Sequence, residues 1–141
     1  MLLKIEIDVE DAIEMLDSVA AVLTSDGFAD AAGGFAADRI IQRTLSGKDI
    51  NDNSFEAYSA AYARKKGGIV NLSASGEMLG SIDFQSGSST ETTITCDSDI
   101  AGYHEDGTSD MPQRQFMGLS DKDIGDMMEE IFTGPLTELV G

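Results

Sequence analysis

The chain has one cysteine, one histidine and two prolines in 141 residues, and nine lysines and arginines against 26 aspartates and glutamates. A lone Cys96 excludes an internal disulfide and a cysteine-rich metal cluster. Within TTITC it reads instead as a small buried hydrophobe. A lone His104 leaves no close-spaced ligand pair for zinc. Apolar runs are a few residues long, far short of the ~20 that span a bilayer. MLLKIEIDVED alternates and turns acidic where the apolar stretch of a secretory signal would run. The expectation is a soluble protein made in a cytoplasm, with no membrane association. No P-loop, G-x-G-x-x-G, G-x-S-x-G or H-E-x-x-H motif occurs. No cofactor and no enzymatic activity are expected.

What is present is enough for one core. Hydrophobic residues make up 41% of the chain, so residues 1–141 read as a single domain. The net charge of -17 is unevenly spread: residues 1–38 carry -8, residues 39–66 carry +3, and residues 67–141 carry -12. An acidic surface repels nucleic acid and keeps copies apart unless a specific interface joins them. The basic segment, with Arg39, Arg43, Arg64, Lys65 and Lys66, is the complementary surface this distribution offers. The alternative is that these are solvated helix positions.

Periodicity outlines the elements. Leu3, Ile5 and Ile7 alternate with charged residues, as a half-buried strand does. Helical spacing runs from Val9 to Leu23, and a second stripe from Ala37 to Leu45 stops at Gly47, with Gly33-Gly34 reading as a bend or break. Ser54 reads as the cap of a third helix, with Phe55, Tyr58 and Tyr62 on one face and ARKK in its last turn before Gly67. SIDFQ and TTITC alternate with period two across a Gly- and Ser-rich connection, predicting an antiparallel hairpin. RQFMGL predicts a further short strand. Ser120 and Asp123 open a last helix with the stripe Ile124, Met127, Met128 and Ile131, and Gly134-Pro135 ends it before a mobile tail at 135–141. The class is α+β, with N-terminal helices on a small antiparallel sheet and a C-terminal helix.

Chemistry-bearing patterns are weak. In DINDNSFEAYSA, Asp49, Asn51 and Asn53 match the first three ligand positions of a calcium loop, but Ser54 and Ala60 stand where the turn glycine and bidentate glutamate belong, so an ordinary Asx turn is the better reading. His104, beside Glu105 and Asp106, has the form of a general base without a nucleophile. It reads as an interface imidazole near a glycine turn.

Four segments in order carry more than any one of them. DRIIQRTLSGKDINDNSFEAYSAAYARKKGG is followed by NLSASGEMLGSIDF, AGYHEDGT and MPQRQFMGLSDKDI. Over residues 39 to about 132 this order resembles the bacteriophage virion morphogenesis, or tail-completion, family. Leu72, Ser75, Gly76, Leu79, Ser81 and Ile82 fit one family box, with Ser75 in place of threonine. Pro112, Arg114, Phe116 and Gly118 fit another, with Gln115 where the family has proline, and Tyr103 and His104 stand adjacent where the family spaces them. The resemblance implies a non-enzymatic neck protein of the virion. Such a subunit assembles in the host cytoplasm into a homo-oligomeric ring, a hexamer, that completes the tail, meets other neck, connector or tail-tube proteins, and lets DNA pass through its lumen unbound.

The residues of the last box read independently as a joint. On a strand started by Pro112, Arg114 and Phe116 point to one side, Phe116 as an anchor in the domain or a neighbouring subunit and Arg114 beside a carboxylate. A different class also suits the charge, an acidic decoy that mimics DNA and blocks a DNA-binding enzyme. A third, a hydrolase using His104, requires a pocket around that residue.

Overall fold

Alternating sequence becomes a three-stranded sheet. The computed structural model describes residues 2–10, 25–67, 70–73, 76–88 and 91–134. Within them β1 (Leu2–Asp8), β2 (Ile82–Ser88) and β3 (Glu91–Asp97) pair antiparallel in the order β1-β3-β2. The register sets Ile5 and Phe84 on either side of Ile94, and Leu3 and Ile82 on either side of Cys96. All five therefore face one core with Ile94. The predicted hairpin is β2 and β3, with a register shift between Ser86 and Ser88.

Helix α1 (Ser25–Leu45) covers that face. Its buried side is built from small residues, Ala29, Ala32, Ala36 and Ala37, before Ile40 and Thr44, so the helix axis comes close to the sheet. Gly33-Gly34 is therefore no break. A β-carbon at Gly33 would stand 2.5 Å from both Phe84 Cδ2 and Thr92 Oγ1, whereas one at Gly34 would meet Phe84 only at 3.7 Å. Gly33 is where helix and sheet touch. The helix expected over 9–23 falls mostly outside the described residues.

The remaining helices do not gather at the N-terminus: α2 (Ala60–Lys66), α3 (Glu77–Gly80), α4 (Asp99–Asp106) and α5 (Asp121–Met128) follow α1, and a π-helical turn, Glu129–Thr133, extends α5. Helix α2 is capped by Ser59, not Ser54. Ser54 forms a bridge with Lys48, and Phe55 N donates to Gly47 O, so Phe55 is pulled into the core before the helix starts. Ser120 and Asp123 form the expected reciprocal capping box of α5. Met127 packs with Val9, Phe28 and Ala32, while Ile124, expected in the same stripe, is exposed.

The expected strand over RQFMGL is an irregular segment. Its burial does alternate, with Arg114 and Phe116 inside and Gln115 outside, but its backbone pairs elsewhere. Glu105 Oε1 accepts the N–H groups of Phe116 (2.6 Å) and Met117 (2.7 Å), Arg114 N donates to His104 O, and Ile50 N donates to Gln115 O. The last turn of α4 and the loop at Ile50 replace a ladder. The tail expected at 135–141 lies outside the described residues.

Candidate interface groove

Tyrosine is scarce in this chain, and all three copies line one groove. Tyr58 and Tyr62 meet edge to face with centroids 4.7 Å apart, and Tyr103 comes from α4. Leu72, Met78, Ile100, Met111 and Pro112 complete an apolar wall around about 380 Å³. Tyr103 is 51% exposed, Ile100 48% and Tyr62 40%. That exposure is unusual for large apolar side chains close together.

Arg114 forms the floor. Its Nε donates to Glu56 O and its Nη2 to Ala57 O, both at 2.9 Å, and its guanidinium lies 5.0 Å from the Tyr58 ring centroid. The buried cation thus orients the aromatic platform through a cation-π contact and two charge-assisted bonds. The carboxylate expected beside it is replaced by those backbone carbonyls. Tyr58 is held from its other end: Lys66 Nζ donates to its hydroxyl at 3.3 Å and to Asn71 Oδ1 at 2.6 Å, and the hydroxyl accepts from Leu72 N at 3.2 Å.

His104 lies in the last turn of α4, just before the glycine turn at Gly107, and lines the groove, so the pocket that the hydrolase reading requires borders the imidazole. Its Nδ1 is buried without a hydrogen-bond partner. Burial, and then the neighbouring Arg114 charge, hold the imidazole below its ordinary pKa, which favours the neutral ring. The chain turns back after α4 at Gly107, whose φ is +72° and whose missing β-carbon would stand 2.9 Å from Gln113 N. Only glycine suits that close return.

The basic segment divides into two parts. Arg43 is buried, donating to Asp123 Oδ2, to Phe116 O at 2.7 Å and to Gly118 O at 2.8 Å. Arg39 donates to Asp123 Oδ1 at 3.1 Å and to Asp126 Oδ2 at 2.7 Å. These two arginines fasten α5 and the 116–118 segment to α1. Arg43 and Phe116 are buried within the subunit, Phe116 in the domain core, which is one of the two places expected for it, and Arg114 is buried at the floor of the groove. Arg64 and Lys65 remain exposed on α2, Lys65 on the side of the helix that carries Tyr62.

Other candidates resolve into local structure. Asp49 Oδ1 accepts the N–H groups of Asn51 and Asn53, so it closes a turn in the calcium-loop look-alike. Cys96 is buried, and burial pushes its thiol pKa up, consistent with an unreactive core position. Among the described residues no cluster of three His, Cys, Asp or Glu side chains is placed to hold a metal, and no helix is long and apolar enough to cross a membrane.

The groove was only partly visible in the sequence. The spacing puts Tyr58 and Tyr62 on one face, but Tyr103 and Ile100 come from α4, a helix that the sequence pattern does not predict. The available signal was composition: three tyrosines, all close to a cation or the histidine. No protein-family model, curated protein or solved structure matches this chain.

Proposed function

We propose that the chain is a structural subunit of a bacteriophage neck, a ring-forming protein that completes the tail and joins it to the filled head. The observation carrying this reading is that all four segments of the family resemblance contribute to one groove. Tyr58 and Tyr62 come from the first, Leu72, Gly76 and Met78 from the second, Tyr103 and His104 from the third, and Pro112 and Arg114 from the fourth. Segments that share one exposed aromatic surface are suited to contact, since aromatic residues above a buried arginine are the composition of binding hot spots.

A net charge of -17 fits the same role. Carboxylates facing a lumen repel the phosphate backbone, so DNA slides through unbound. A closed ring uses heterologous contacts, in which one patch meets a different patch of the next copy. Electron microscopy of particles made without this protein tests the reading. Full heads beside unattached tails are expected; normally joined virions would refute it.

A further inference from the structure

We infer that the tyrosine groove of one copy receives the outer face of α5 from the next copy, an inference that rests on the ring reading above. The groove supplies an apolar trough with a basic end. Arg64 and Lys65 stand exposed on α2, Lys65 three residues on from Tyr62 and so on the same side of the helix. Neither has a carboxylate partner among the described residues. Asp110 is the one carboxylate of the lining.

Helix α5 supplies the complement. Ile124 is 43% exposed in the middle of it, next to exposed Gly125, where a β-carbon would meet nothing within 4 Å. Glycine is among the poorest helix formers, and nothing inside the chain requires one at 125. It leaves the helix backbone open to close approach by a neighbour, with Ile124 as the projecting side chain. Asp121 and Glu129 are exposed on the same side, together with Lys122, whose charge is taken up by Asp126. An apolar projection flanked by two carboxylates matches an apolar trough with Lys65 at its rim, and such complementarity fixes register as well as partner.

The two patches are separate. Helix α5 packs on α1 and contributes no residue to the groove, as a heterologous contact demands. Each copy therefore offers one trough and one projection, and repetition of the contact by rotation closes a ring.

The test mixes two full-length variants, Ile124→Asp and Tyr103→Glu, both at exposed positions that leave the core untouched. By sedimentation, each alone is expected at the 15.0 kDa subunit mass under conditions where the parent assembles. Mixed together they retain one intact junction, the groove of Ile124→Asp with α5 of Tyr103→Glu, while the reverse junction sets two negative charges together. The mixture is expected to stop at a one-to-one pair. If the parent assembles and either variant assembles like it, or if the mixture stays monomeric, the groove-to-α5 contact is wrong while the ring reading stands. A parent that remains monomeric at every concentration overturns both.

Discussion

Arg43 and Asp123, eighty residues apart in sequence, form a buried ion pair in which one guanidinium also serves the carbonyls of Phe116 and Gly118. The pair joins the last turn of α1 to the first turn of α5 and fixes the segment that leads from the groove to that helix.

Removing one member should be far worse than its small size suggests. Arg43→Met leaves Asp123 buried beside only the partly exposed Arg39, and breaking a buried pair in this way costs about 3 to 5 kcal/mol. Urea titration of the variant should show that loss. Burial alone pushes the Asp123 carboxyl up, but the Ser120 cap, the Arg43 charge and the Arg39 bond outweigh it and hold the group below its ordinary pKa. The unfolded chain therefore binds this proton more readily than the folded one. The contribution is complete above about pH 4, the ordinary aspartate range, and disappears as pH falls through the lower folded value. Asp123→Asn should flatten that part of the acid unfolding curve.

Phe116 and Gln115 provide a paired test of the segment's phase. Phe116 is fully buried and Gln115 exposed, so Phe116→Ala should cost about 3 to 5 kcal/mol and Gln115→Ala almost nothing. The backbone there depends on Glu105. Glu105→Ala strands two N–H groups at about 1 to 3 kcal/mol each, while Glu105→Gln keeps an acceptor oxygen and should lose less. Thermal melts of the four variants rank them.

Adjacent glycines in α1 should respond with opposite sign. Gly33→Ala drives a methyl into Phe84 and Thr92, an overpacking cost of about 1 to 3 kcal/mol. Gly34→Ala fits at ordinary contact distance and gains up to about 1 kcal/mol of helix propensity. Equal melting temperatures would mean that helix and sheet are farther apart than described.

His104 should behave as a structural imidazole. With its folded pKa below the ordinary value, charging opposes folding, so stability is complete above about pH 6.5 and falls as pH drops through the folded pKa. His104→Gln should remove that slope between neutral and mildly acid pH. If the proposed neck function holds, phage carrying His104→Ala should keep infectivity within about tenfold, the scale of a lost contact of roughly 1.4 kcal/mol. Total loss with normal folding and assembly would point to chemistry at this residue.

Elements that form from local pattern were legible. The hairpin, the capping box at Ser120 and the glycine stop at 47 each follow from a few neighbouring residues, and each is present. Positions decided by tertiary contact were not. Gly33 looks like a helix breaker until Phe84 lies against it. Arg114 and Phe116 alternate like a strand, yet Glu105 satisfies the backbone in place of a partner strand. Nothing local distinguishes Arg43, which is buried, from Arg64, which is exposed, because the difference lies in Asp123 and two carbonyls distant in sequence. For the same reason the groove was hidden, as its walls come from four separated segments.

Self-association should depend on the basic rim. Arg64→Glu with Lys65→Glu is expected to weaken assembly while changing fold stability by less than about 1 kcal/mol, because both residues are exposed at a helix end. Unchanged oligomer mass in this variant would remove the rim from the contact.

The most direct measurement is sedimentation of the purified full-length chain over a range of concentration and salt. A single closed oligomer several times the 15.0 kDa subunit is expected at high concentration. It should dissociate more readily as ionic strength rises, because exposed charges are screened beyond about 10 Å at 0.1 M. A monomer at every concentration, or an oligomer indifferent to salt and to loss of Arg64 and Lys65, would contradict an electrostatically matched ring.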